Sequence, residues 1–246
     1  MPAATAPQAS IRALAQQVRK AGSRIGLPLV AACADISSAR PALDEEGTPV
    51  GALFDFTRGA REYWEWSDLA LHNAIIAVVR HTAEPFYFDR GTIGAWQAIS
   101  LREDVEKQAR QRDYDVRAAI VAPAHLPGPT IGAVLWASDG EGVDVAALYR
   151  DHAVALHGLA LRFVAACDRA SHGMPDIGFH RLTRREIQCL KLAAAGKTDG
   201  EIATILEVAV PTVRFHLRKA SAKLGQTGRL RTVQRAAELG FVTTRQ

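Results

Sequence analysis

Apolar side chains near the start of the chain fall at helical spacing. Ser10 precedes Ile11, Leu14 and Val18, which share one face at 3.6 residues per turn, so a capped amphipathic helix is expected there. Residues 27–33 and 51–56 are short apolar runs that read as strands. Helical spacing returns over residues 63–81 through Leu69, Ile76 and Val79, with Ile75 alongside, and residues 101–112 form a charged surface helix. Residues 118–122 and 130–137 are apolar and rich in β-branched side chains. They are joined by Pro-Ala-His-Leu-Pro-Gly-Pro and read as adjacent strands. Residues 143–167 close this half as one long helix. The order predicts an α+β fold: an α-β-α sandwich with a mostly antiparallel sheet covered by helices on both sides. Such a sandwich commonly leaves room for a small molecule between sheet and helices.

Residues 170–178 hold two Gly, a Pro, a Ser and an Asp between two helical patterns, which is linker chemistry. Domains are therefore expected at 1–169 and 179–246, with 170–178 between them. The second domain reads as short helices throughout. Thr183 and Glu186 make a Thr-x-x-Glu capping box, Ile187, Leu190 and Ala194 give an apolar stripe, and Gly196 supplies the stop. Asp199 is placed to cap a second helix carrying Ile202, Ala203 and Leu206. Pro211 opens a third, whose Val213, Leu217, Ala220 and Leu224 face inward. That leaves Thr212, Arg214, Arg218 and Lys219 outward, with His216 and Lys223 on the flanks. A fourth helix spans 230–239.

Charge sharpens the contrast between the halves. Residues 178–246 carry 13 Lys/Arg against 5 Asp/Glu, whereas residues 1–177 carry 17 against 21. No acidic side chain occurs from 208 to 237. A basic small domain on an acidic body implies a polyanionic partner for the small domain. Arg214 and Arg218, one turn apart, are suited to bidentate bonding with guanine in a major groove. Double-stranded DNA is the expected partner.

Other chemistry is thin. The three cysteines have no close pair, which excludes a CxxC knuckle and argues for small buried side chains in a reducing cytoplasm. The histidines lack metal spacing, and no cofactor is expected. Gly196-Lys197-Thr198 resembles the end of a phosphate loop, but Lys191 stands where that loop needs a Gly. No nucleophile–base pair or paired-carboxylate motif can be assembled, so an enzyme is not expected. Neither a signal peptide nor an apolar run long enough for a membrane span is evident.

The C-terminal residues resemble the helix-turn-helix of LuxR-type regulators over about 60 positions: Leu182-Thr-x-Arg-Glu186, Leu190, Ala195-Gly-Lys197, Glu201-Ile-Ala203, Leu206, Thr212-Val213, His216, Lys223-Leu224 and Arg229. The resemblance implies that the helix from Pro211 enters the major groove and that the final helix helps pair two modules. Thr212, Arg214, His216, Arg218, Lys219 and Lys223 are then the DNA-binding candidates. Ala209 departs from the Ser that often caps this helix in the family.

The first half resembles the signal-binding domain of quorum-sensing regulators over about residues 10–168. The anchors are Glu84-Pro-Phe-Tyr-Phe88, the strand pair around Pro123 and Gly132, and the long closing helix. In that family a Trp and a Tyr bond the carbonyls of an acyl-homoserine lactone, an Asp accepts its amide N–H, and a second Trp packs on the ring. By the family's spacing those positions fall on Ala60, Trp64, Asn73 and Phe88. All four are changed: Asn73 lacks the charge, Ala60 donates nothing, Trp64 is bulkier, and Phe88 keeps an aromatic wall.

The resemblance thus implies an orphan regulator, acting as a homodimer, whose inducer is a small apolar or aromatic molecule other than a standard acyl-homoserine lactone. Phe56, Trp64, Asn73, Phe88, Trp96 and Ser138 are the ligand-binding candidates, within a wider aromatic set of Tyr63, Trp66, Phe86 and Tyr87. The alternative is a ligand-independent orphan regulator or a dimerisation partner of another LuxR-type protein.

Overall fold

The computed structural model describes residues 9–38, 40–54, 73–111, 116–174 and 178–243. The chain divides into two compact units, with the boundary after Met174.

In the first unit, helix α1 (Ile11–Arg24) starts where the sequence places it, with Ser10 accepting from the Ala13 N–H. Strand β1 (Leu29–Cys33) follows. The apolar run 51–56 predicts a strand, of which residues 55 and 56 lie outside the described residues. Val50–Leu53 is instead a 3-10 turn, its Phe54 N–H closing back on Gly51, because Pro49 fixes the backbone just before it. Helix α2 (Ala74–His81) begins at Asn73, whose side chain caps it. Strands β2 (Phe86–Asp89) and β3 (Thr92–Gly94) form a tight hairpin with Gly91 at positive φ. Helix α3 (Glu103–Gln111) leads to β4 (Ala118–His125), β5 (Ile131–Ser138) and the long α4 (Val145–His172), capped by Asp144.

The five strands make one sheet in the order β1-β5-β4-β2-β3, and every pair is antiparallel. Pro123, read from sequence as part of the β4–β5 connection, lies inside β4 opposite Ala133. It is tolerated because β2 stops pairing at Val121, so no neighbour on that side needs its missing N–H.

Alternation along β4 and β5 sorts the two faces. Ile120, Ala122, Val134 and Trp136 meet α1 and α4, while Ala119, Val121, Ala133 and Ala137 meet α2 and α3. Helices thus cover both sides of the sheet. Among the described residues the largest fully buried side chain is Trp136, whose indole N–H donates to the Val18 carbonyl at 2.8 Å. Gly22 makes this possible, because a Cβ there would sit 2.5 Å from Trp136 Cδ1 and 2.4 Å from the Leu27 oxygen. The N-terminus of α1 is clasped by the 44–48 turn: Arg12 pairs with Asp44 at 2.6 Å and bonds Thr48 at 2.8 Å.

Helix α4 runs to His172, so Ala170, Ser171 and His172 of the expected linker are helical. Cys167 is buried in its inner face, and burial pushes its thiol up to about 12. Among the described residues no helix is long and apolar enough to cross a membrane, and no group of metal-ligating side chains occurs.

The second unit is four helices: α5 (Arg184–Ala194), α6 (Asp199–Leu206), α7 (Val210–Lys223) and α8 (Arg229–Glu238). Its interior is built around Cys189, Leu190, Ile202, Val213, Ala220, Leu224 and Ala236.

Candidate functional site

Two consecutive helices of the second unit set up a basic face. The capping box at Thr183 and Glu186 forms as its sequence predicts, and α5 ends at Gly196 with φ +78°. The cap of α6 is Thr198 rather than Asp199: Thr198 and Glu201 form a second capping box, which leaves the Asp199 side chain outside the cap. The N–H and hydroxyl of Thr198 hold the Glu201 carboxyl below its usual value. Glu207, in the left-handed region at φ +53°, turns the chain between α6 and α7. Ala209 supplies no side-chain cap to α7, and Pro211 lies in its first turn.

Helix α7 buries Val213, Ala220 and Leu224 and turns its basic residues outward. Arg214, Arg218 and Lys219 are exposed, and Thr212 and His216 are half-buried. Phe215, with no role assigned from sequence, is also exposed. Its ring carries the Lys219 ammonium 5.7 Å above its centre and the His216 ring 5.6 Å away.

Lys223 is turned differently. Its ammonium bonds both carboxylate oxygens of Glu186, at 2.9 and 2.8 Å, and the Arg181 carbonyl at 3.1 Å. Burial raises the Glu186 carboxyl, but the Lys223 ammonium and the Thr183 N–H outweigh it and hold the group below its ordinary range. A further set has no local signature in the sequence. Asp199 accepts from Arg214 Nε at 3.3 Å and from Arg229 Nη1 at 2.5 Å, and Arg229 also donates to the Lys197 carbonyl. These partners lie 15 and 30 residues apart, beyond the reach of any local spacing rule.

Among the described residues, the ligand-binding candidates of the first unit fall on two sides of the sheet. Phe56, Ala60, Trp64 and the neighbouring Tyr63 and Trp66 lie outside the described residues. Asn73 and Phe88 are buried on the α2/α3 side of the sheet, where Phe88 packs with Ala74, Ala109 and Ala119. The Asn73 carboxamide oxygen accepts from the N–H groups of Ile75 and Ile76 at 2.8 and 3.2 Å, so its acceptor works as a helix cap. Trp96 and Ser138 belong to the opposite side. Trp96 is 47% exposed and lies against Tyr149 of α4, with ring centres 5.4 Å apart. Ser138 continues the Val134–Trp136 alternation, and its hydroxyl accepts from the Gly140 N–H at 3.1 Å.

A short helix and a left-handed turn, followed by a longer helix with its basic side outward and packed on two flanking helices, define a helix-turn-helix domain. Residues 180–236 match the family described as bacterial regulatory proteins, luxR family, and this C-terminal domain belongs to it. The transcriptional activator VanR of Vibrio anguillarum is 46% identical over 61 residues, which are 25% of this chain and 25% of that protein. The quorum sensing-dependent transcriptional regulator VjbR of Brucella ovis is 49% identical over 61 residues, 25% of this chain and 24% of its own. The chain thus spans about a quarter of the length of these curated relatives. The crystal structure of Escherichia coli SdiA superposes with a TM-score of 0.50 at 14% identity, covering 98% of this chain and 93% of that one. That likeness concerns the fold, and it extends over both units.

Proposed function

We propose that the chain is a cytoplasmic, DNA-binding transcriptional regulator that acts as a dimer. In this reading its first unit binds a small apolar or aromatic molecule other than a standard acyl-homoserine lactone. The observation that carries the DNA-binding part is the outward face of α7. Arg214, Arg218 and Lys219 stand exposed on one helix of a LuxR-family domain, in a stretch from 208 to 237 with no carboxylate of its own. Arginines one turn apart on a groove-sized helix can bond successive base edges, and the surrounding charge supplies phosphate attraction. A dimer follows from the half-site reach of one short helix. The test is selection of full-length protein against random-sequence duplex DNA. An enriched site with two related halves is expected, and no enrichment refutes the reading.

One observation favours a second reading, a ligand-independent regulator or dimerisation partner. The Asn73 carboxamide oxygen caps α2, and Phe88 packs in the sheet core. Mass spectrometry of small molecules that co-purify with the protein separates the two. A stoichiometric apolar molecule supports the first reading, and well-folded protein with nothing bound supports the second.

A further inference from the structure

We propose that Asp199 is a positioning residue for base recognition, setting the guanidinium of Arg214 and thereby the base preference read there. The inference rests on the DNA-binding reading above. Asp199 stands in the first turn of α6 but does not cap it, since Thr198 and Glu201 already complete that box. Both hydrogen bonds of its carboxylate go to arginines, one on α7 and one on α8.

The two partners have different freedom. Arg229 is fixed by a second bond to the Lys197 carbonyl, and the Asp199 side chain is only 27% exposed. Arg214 is 71% exposed and touches the carboxylate through Nε alone. The carboxylate is therefore the anchored member and Arg214 the member being oriented. Bonding at Nε leaves the terminal amino groups of Arg214 for a base edge. Arg218, one turn along, has no ion-pair partner among the described residues.

Two effects of opposite sign follow. Tethering removes side-chain freedom that Arg214 would otherwise lose on binding, which favours the one geometry that meets its base pair. The negative charge also offsets attraction to phosphate in every other register, which weakens binding to arbitrary sequence. Asp199 thus raises discrimination by acting on both sides of the ratio. A role confined to holding the fold would move specific and arbitrary binding together.

The experiment uses the full chain and a duplex library with about 20 randomised base pairs, enough for two half-sites one helical turn apart. The bound fraction is sequenced, and affinity for sonicated mixed-sequence DNA is titrated with salt. The base pair whose preference disappears in Arg214→Ala is assigned to Arg214, and that lost in Arg218→Ala to Arg218. Asp199→Asn is expected to lower preference at the first pair roughly tenfold, the scale of one bidentate contact, and to spare the second. It should also bind mixed-sequence DNA more tightly at low salt. Adding Asp199→Asn to Arg214→Ala should change the preference no further, Asp199→Glu should restore part of it, and Arg229→Gln, which removes the carboxylate's anchor, should lose part of it while sparing the Arg218 pair. Full preference at the Arg214 pair in Asp199→Asn would overturn the inference. So would a parallel loss at both pairs together with weaker mixed-sequence binding, which marks a folding role. A wild-type chain that enriches no sequence would overturn the DNA-binding reading, and this inference with it.

Discussion

The Lys223 ammonium lies 2.8 Å from a carboxylate oxygen of Glu186, joining the end of α7 to the start of α5. The Glu186 side chain is 4% exposed and also accepts from the Thr183 N–H, so the pair closes one end of the bundle. Lys223→Ala would leave that carboxylate buried with only Thr183. The cost is expected at about 2–3 kcal/mol, at or just below the range for a broken fully buried pair, because Lys223 reaches solvent. Glu186 is held below its ordinary range, so its stabilisation is present above the unfolded value and lost as pH falls through the folded one. Urea titrations should show wild type more stable than Glu186→Gln at pH 7, with the gap closing below about pH 4. A gap independent of pH would refute the ion pair.

The separation of charge between the two units has its own signature. A fragment of residues 178–246, with 13 Lys/Arg against 5 Asp/Glu, should bind duplex DNA with affinity that falls steeply with salt. Contact with about 4–5 phosphates corresponds to a log–log slope of roughly −4. Residues 1–177, with 17 against 21, should not bind. Fluorescence anisotropy with labelled duplex measures both, and a salt-independent affinity of the fragment would count against the basic face.

Gly22→Ala tests the packing of α1 on the sheet. The added methyl would meet Trp136 Cδ1 at 2.5 Å and the Leu27 carbonyl oxygen at 2.4 Å, and the oxygen belongs to backbone. A loss of about 1–3 kcal/mol is expected, typical of overpacking. Trp136→Phe should cost a comparable amount by leaving the Val18 carbonyl without its indole donor. Thermal melts in which either variant matched wild type would contradict this account.

Asn73 yields a prediction about ligands. Its oxygen is engaged by the Ile75 and Ile76 N–H groups, so Asn73→Ala should destabilise α2 by about 0.5–2 kcal/mol with no lactone present, whereas Asn73→Ser should retain most of the cap. A panel of acyl-homoserine lactones of different chain length should leave the melting temperature nearly unchanged, because only a ligand of the folded state raises it. A clear shift at low micromolar lactone would overturn the proposed inducer class.

Elements with strong local signatures were legible in the sequence. The Ser10 and Thr183 caps, the Gly196 stop and the apolar faces of α1 and α7 stand where periodicity and capping chemistry put them. Strands β2 and β3 carry no strand signature in the sequence, because four and three residues are too few to establish an alternation. The Asp199 cap was displaced by its neighbour Thr198, which has the better reach to Glu201 at the third position. Exposure of Arg214 and Arg218 followed from their phase relative to Val213 and Ala220. The engagement of Lys223 by Glu186 did not, since 37 residues separate them. Similarly, family spacing points to Asn73 and Phe88 but not to Trp96 or Ser138, which join them only as pocket candidates. It carries no information on which side of the sheet a residue takes.

The strand order has a consequence for how the chain is made. Leu29 of β1 pairs with Ala137 of β5, and β1 has no other strand neighbour among the described residues. At about 5–20 residues per second, a ribosome takes on the order of 5–20 s to deliver the missing partner. Until then the apolar Leu29–Cys33 segment and the inner face of α1 have nothing of their own sheet to cover them. The first unit cannot fold progressively behind the ribosome. It must wait for its last strand, and that interval is when the nascent chain is most open to chaperone capture or aggregation.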